Sequence, residues 1–111
     1  MNLELRVTKM DAAELLRDYV ERRLRFAIGR FGNRVARVIV NVSREGGRPR
    51  ESTCLMTVEV VPIGEISVYE TYPDLLAAID RAAGRVGRQV ARQLKRAQQT
   101  RAWRQSIRMA A

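Results

Sequence analysis

Histidine is absent from this 111-residue chain, and with it the side chain most often used as a general acid or base near neutral pH. Cysteine occurs once, at Cys54, so neither an internal disulfide nor a cysteine-built zinc cluster can form. Residues 53–61 read as a buried strand, which makes Cys54 a core residue. Lysine occurs only at Lys9 and Lys95; like the lone thiol, neither has an evident activating partner for nucleophilic chemistry. No metal-ligand or phosphate-loop spacing appears. No apolar run approaches the ~18 to 20 residues of a membrane span, and Met1 to Arg6 lack the apolar stretch of a secretory leader. These absences predict a cytoplasmic, non-enzymatic protein with no cofactor, no metal, no membrane partner and no small-molecule substrate.

What is abundant is arginine. Lysine and arginine number 21 against 12 acids, a formal charge of +9, which points to a polyanionic partner, either nucleic acid or an acidic membrane surface. The excess is local. Residues 1–73 carry 12 basic and 10 acidic side chains, whereas residues 74–111 carry 9 and 2. At this length the chain holds one modest core. Residues 1–98 are expected to form a single domain and residues 99–111 a basic, flexible tail.

Leu3, Leu5 and Val7 alternate with polar residues at the period of a half-buried strand. Asp11 and Glu14 have the spacing of a capping box, after which Ala12, Leu16, Val20, Leu24, Ala27 and Phe31 recur at helical spacing as far as Gly32-Asn33. Residues 35–42 and 53–61 are alternating and β-branched, joined by a basic loop containing Gly46-Gly47 and Pro49. A turn at residues 62–64 leads into a fourth strand over 66–71, and Pro73 suits a first helical position. From Asp74 to about residue 98 the apolar residues follow one helical stripe. The order β-α-β-β-β-α, with one apolar stripe per helix, predicts an α+β fold: a four-stranded mixed sheet with both helices on one face. The first strand lies parallel to the second through a right-handed crossover, and strands two to four form an antiparallel meander.

The two helices carry charge differently. On the first, Asp18 precedes Arg22 and Glu21 precedes Arg25 by four residues, the favourable order for a solvated ion-pair face. On the second, Arg81, Arg85, Arg88, Arg92, Lys95 and Arg96 fall within about 100° of arc opposite the apolar stripe. No acid shares the arc, and Asp80, with only Ala83 and Gly84 at its helical-neighbour positions, neutralises nothing there. Six unpaired cations on one face repel one another unless a polyanion supplies counter-charge, so the arc reads as a binding face. The strands lack the aromatics of an RNA-recognition-motif sheet, and Gly29-Arg30-Phe31-Gly32 is followed by a strand where a KH loop needs a helix. The order α-β-β-β-α within residues 11–98 resembles the double-stranded-RNA-binding domain, which favours structured RNA over DNA.

The segment Asp74-Leu75-Leu76-Ala77-Ala78-Ile79-Asp80, with Arg85, Arg88-Gln89 and Arg92, resembles the hallmark helix of the ribosome hibernation-promoting factor family. This family is also called ribosome-associated translation inhibitor or sigma-54 modulation protein. Leu15-Leu16-Arg17-Asp18-Tyr19-Val20-Glu21, with Arg23 and Phe31, extends the likeness over about residues 1–96. The resemblance implies a translation inhibitor of the small ribosomal subunit and its 16S-type ribosomal RNA. Such a factor acts by occluding the decoding region where messenger RNA and the A- and P-site transfer RNAs sit. It implies RNA contact through Arg23, Arg85, Arg88 and Arg92, to which the arc adds Arg81, Lys95 and Arg96. The chain looks like a short-form member, expected to be monomeric off the ribosome. The alternative reading of the same charge is a DNA-associated or transcription-modulating protein.

Overall fold

Valine and its alternation with polar residues decide the sheet. The computed structural model describes residues 2–8, 13–45 and 51–110. Four strands, β1 (Asn2–Thr8), β2 (Val35–Glu45), β3 (Glu51–Val60) and β4 (Gly64–Tyr72), lie in the order β1-β2-β3-β4. β1 pairs parallel to β2, and β2, β3 and β4 pair antiparallel. The topology is the one read from the sequence. Because side chains alternate between faces, the register gathers Leu3, Val38, Val58 and Ile66 into one cross-strand row and Leu5, Val40, Met56 and Val68 into the next. A third row, Val7, Val42, Cys54 and Glu70, ends on a carboxylate.

Helix α1 (Ala13–Ile28) and helix α2 (Leu75–Ala110) cover that face. α1 buries Leu16, Val20, Leu24 and Ile28, and α2 buries Ala78, Ile79, Ala82, Ala83, Val86, Gly87, Val90 and Leu94. The small residues of α2 let its axis come close to its neighbours. A Cβ at Gly87 would stand 2.8 Å from the carbonyl oxygen of Ala27 on α1, so this crossing requires glycine. The opposite sheet face carries Glu4, Arg6, Thr57, Ser67 and Tyr69 and has no helix over it. There Arg37 and Arg6 donate to Glu4 and hold its carboxyl below the usual value.

Several boundaries differ from those the sequence suggests. α1 gives way at Gly29 to a 3₁₀ segment (Gly29–Arg34) in which Gly32 takes φ 57°, so Phe31 lies past the α-helix. β2 and β3 extend into the loop expected at 43–52, while Gly46, Gly47 and Pro49 lie outside the described residues, as does Asp11 of the expected capping box. Asp74, not Pro73, sets the start of α2: its Oδ1 accepts from the Leu76 amide at 3.2 Å and its carbonyl from the Ala78 amide at 3.0 Å, an N-cap arrangement. α2 also runs to Ala110 instead of ending near residue 98. The apolar period does stop there, but periodicity reports packing and not helicity. Residues 99–110 contain no glycine or proline and are rich in alanine, arginine and glutamine, which favour helix. Every residue from 98 to 110 is exposed, and the long axis of the chain reaches 62 Å. No described helix is long and apolar enough to cross a membrane.

Candidate nucleic-acid interface

The packing of α2 fixes which of its residues meet solvent. With Ile79, Ala83, Val86, Val90 and Leu94 buried, the opposite arc must face outward. Arg81, Arg88, Arg92, Lys95 and Arg96 are exposed and Arg85 is partly so. The structure thus brings the six residues of the predicted arc onto one outer surface of α2, and α1 contributes Arg23 beside them.

The arc is not uniformly unpaired, which corrects the expectation from the helix alone. Glu70 of β4, whose side chain is only 15% exposed, lies under the first turns of α2. Arg85 Nη1 stands 3.0 Å from its Oε1 and also donates to the carbonyl of Tyr69 at 3.1 Å. Arg81 Nε is 3.9 Å from Glu70 Oε2, with its guanidinium over the Tyr72 ring, 5.2 Å from the centroid. The acid that shares the arc comes from the sheet, so spacing along the helix could not disclose it. Arg88, Arg92, Lys95 and Arg96 have no ion-pair partner among the described residues.

Asp80 is also engaged, again from outside its own helix. Its Oδ1 is 2.9 Å from Arg23 Nε and accepts a hydrogen bond from the Tyr19 hydroxyl at 2.6 Å. That bond holds the Tyr19 phenol above its ordinary pKa, since ionising it would set two negative oxygens side by side. On α1 the pair observed is Arg17 with Glu21 at 3.5 Å. The expected Asp18–Arg22 and Glu21–Arg25 pairs are not formed among the described residues. Arginine's long side chain reaches either helical neighbour, and nearby groups choose between them: Arg17 also donates to the Leu3 carbonyl at 3.5 Å.

Arg23, Arg81, Arg85 and Arg88 converge on a shallow hollow of about 350 Å³ with Gly84 in its wall. Glu70 and Asp80 also line it, leaving four cations against two anions. Guanidinium groups held by one carboxylate keep free N–H groups for a second acceptor, and their planar fork matches phosphate. The acids thus orient as much as they neutralise. Phe26, 82% exposed on α1, lies beside the hollow with the Arg23 guanidinium 5.7 Å from its ring centroid. It escaped the sequence reading although its position off the α1 apolar stripe was a legible signal. An exposed aromatic next to arginines offers a base a stacking surface. Tyr69 is the one aromatic of the uncovered sheet face, which is too few for a stacking platform.

Cys54 is fully buried, and burial pushes its thiol up to about 12, the opposite of an activated nucleophile. No group of three or more potential metal ligands occurs among the described residues.

Residues 3–98 match the family model described as sigma 54 modulation protein / S30EA ribosomal protein. Among solved structures, the Protein Y N-terminal domain from Thermus thermophilus is 32% identical with a TM-score of 0.72, the match covering 83% of this chain and 98% of that one. A ribosomal subunit interface protein from Coxiella burnetii shares the fold at 13% identity, with a TM-score of 0.70 and coverage of 86% and 99%. No curated protein matches the chain.

Proposed function

The chain belongs to the sigma 54 modulation protein / S30EA ribosomal protein family, and from that premise we propose that it is a non-enzymatic ribosome ligand that silences translation in the cytoplasm. In this reading it binds the small ribosomal subunit through 16S-type ribosomal RNA and covers the decoding region where messenger RNA and the A- and P-site transfer RNAs sit. Occlusion, not chemistry, is the mechanism. The observation that carries it is the second half of the α2 arc, where Arg88, Arg92, Lys95 and Arg96 stand exposed without an acid to pair with among the described residues. Such a row loses electrostatic energy in the free protein and regains it against phosphates.

The roles divide along the helix. Arg23, Arg81 and Arg85, already oriented by Asp80 and Glu70, position phosphates in the hollow around Gly84. Arg88, Arg92, Lys95 and Arg96 supply the counter-charge. Residues 1–98 carry this primary interface. In this reading the protein acts as a monomer: the sheet face opposite the helices is mainly polar and charged, with Ile39, Leu55 and Tyr69 as its apolar members.

Co-sedimentation with purified small subunits tests the reading. Arg88→Ala/Arg92→Ala should abolish it at physiological salt while leaving the fold unchanged, since neither side chain is buried or ion-paired. Undiminished co-sedimentation of this variant refutes the proposal. Duplex DNA competing as well as ribosomal RNA at matched salt would instead favour a DNA-associated role.

A further inference from the structure

The buried stripe of α2 steps through Ile79, Ala83, Val86, Val90 and Leu94 at intervals of three or four residues. Continued with the same spacing it reaches Ala97, Arg101, Arg104 and Arg108. The side of the helix that is apolar over the sheet therefore becomes arginine where α2 passes beyond the sheet. This second cationic stripe points away from the arc formed by Arg88, Arg92 and Arg96, roughly to the opposite side of the helix at ~100° per residue.

Where α2 leaves the sheet, that stripe meets the turn between β3 and β4. Pro62 and Ile63 form one wall of a groove of about 430 Å³, and Arg96, Ala97, Arg101 and Arg104 contribute to the other. No acid lines the groove. Glu59 and Glu65, which flank the turn and pair in register, belong to the uncovered face of the sheet. No residue after Asp80 is acidic, so the helix cannot neutralise the groove itself. Three arginines thus share a cleft with a proline, an isoleucine and an alanine.

We propose that this groove binds one or two unpaired nucleotides of RNA, with Arg96, Arg101 and Arg104 on the phosphates and Pro62, Ile63 and Ala97 against ribose and base. The proposal rests on the RNA-binding reading above and adds a second binding surface to it, facing the β3–β4 turn, which Arg101 and Arg104 enter from the far side of α2 and which meets the main arc at Arg96. Guanidinium forks suit phosphate oxygens, and a partly apolar wall suits the face of a base that is not stacked in a duplex. An anionic membrane would supply phosphates too. Trp103, Ile107 and Met109, the residues a bilayer would take up, lie on the half of this helix opposite Arg101, Arg104 and Arg108 at ~100° per residue, so a membrane seated on them would face away from the groove.

The test uses the full chain with Ile63→Cys carrying a benzophenone label, Cys54 being buried and unreactive. Irradiation of its complex with small ribosomal subunits should cross-link the label to ribosomal RNA. Adding Arg101→Ala/Arg104→Ala should remove most of that product. In unlabelled protein the same double substitution should flatten the salt dependence of subunit binding by about 0.7 for each phosphate no longer neutralised, with an unchanged melting temperature. No RNA cross-link, together with an unchanged salt slope, overturns the groove. If Arg88→Ala/Arg92→Ala still abolishes binding in that case, the groove fails alone; if it does not, the RNA-binding reading fails with it. Phosphatidylglycerol vesicles serve as the control: binding to them that needs Arg101 and Arg104, without an RNA cross-link, overturns the proposal in favour of a membrane surface.

Discussion

Asp80 of α2 and Arg23 of α1 lie 2.9 Å apart, and the Tyr19 hydroxyl donates to the same carboxylate oxygen. One acid thus ties two helices together and aims a guanidinium toward the hollow around Gly84.

Removing that acid should loosen the helix pair modestly. Asp80→Ala is expected to cost about 1 kcal/mol by denaturant unfolding, because both partners are partly exposed and solvent screens the pair. The Tyr19 phenol adds a pH signature. Its pKa is raised in the folded state, so its contribution is fully present below the ordinary tyrosine value of about 10. It is lost as pH rises through the folded value. Stability measured from neutral to strongly alkaline pH should fall over that window in the parent protein and fall less in Tyr19→Phe.

Two glycines of α2 should respond with opposite signs. A methyl at Gly87 meets the Ala27 carbonyl oxygen at 2.8 Å, an atom of rigid helix backbone. Gly87→Ala should therefore destabilise by roughly 1–3 kcal/mol, lowering the melting temperature by about 4–8 °C for each kcal/mol. At Gly84 the nearest atom is the flexible end of Arg88 at 3.3 Å. Gly84→Ala should then raise stability by up to about 1 kcal/mol through helix propensity. A melting curve for each variant decides the matter.

The unpaired cations imply that the free protein is stabilised by salt. Raising ionic strength screens repulsion among Arg88, Arg92, Lys95 and Arg96, so the melting temperature should rise between low and physiological salt. Arg88→Ala/Arg92→Ala should reproduce part of that rise at low salt and show a smaller salt response. Glu70→Gln, which unpairs Arg81 and Arg85, should steepen the response instead. A melting temperature indifferent to salt would contradict the energetic argument for the binding face.

Cys54 should be inert until the protein unfolds. Its thiol is buried and held up to about 12, so an alkylating reagent at about pH 8 has almost no thiolate to attack. Mass spectrometry should find unmodified native protein and complete alkylation in denaturant. Rapid labelling of the native state would show that the β3 core opens.

Much of the architecture was legible because it depends on periods that sequence displays directly. The alternation in β2 and β3 and the stripes on α1 and α2 specify which faces must be buried, and a single sheet face is the simplest place to bury both helices. The end of α2 was not legible in the same way. Its apolar stripe stops at Leu94 and Ala97 because the sheet stops, while the backbone continues helical on propensity alone.

The site divides along the same line. That Arg81 through Arg96 share one side of a helix follows from their spacing, and so did the sequence by itself determine the cationic face, the unreactive cysteine and the order of elements. Which of those cations are free was decided only by the tertiary structure. Glu70 is 11 residues before Arg81 and 15 before Arg85, and Tyr19 is 61 residues from Asp80, separations at which no local rule assigns a partner. Pairing of charges depends on distance in space, and the sheet register and the α1–α2 crossing set those distances. The fold thereby turned a row of six similar cations into two oriented by acids and four left for a partner.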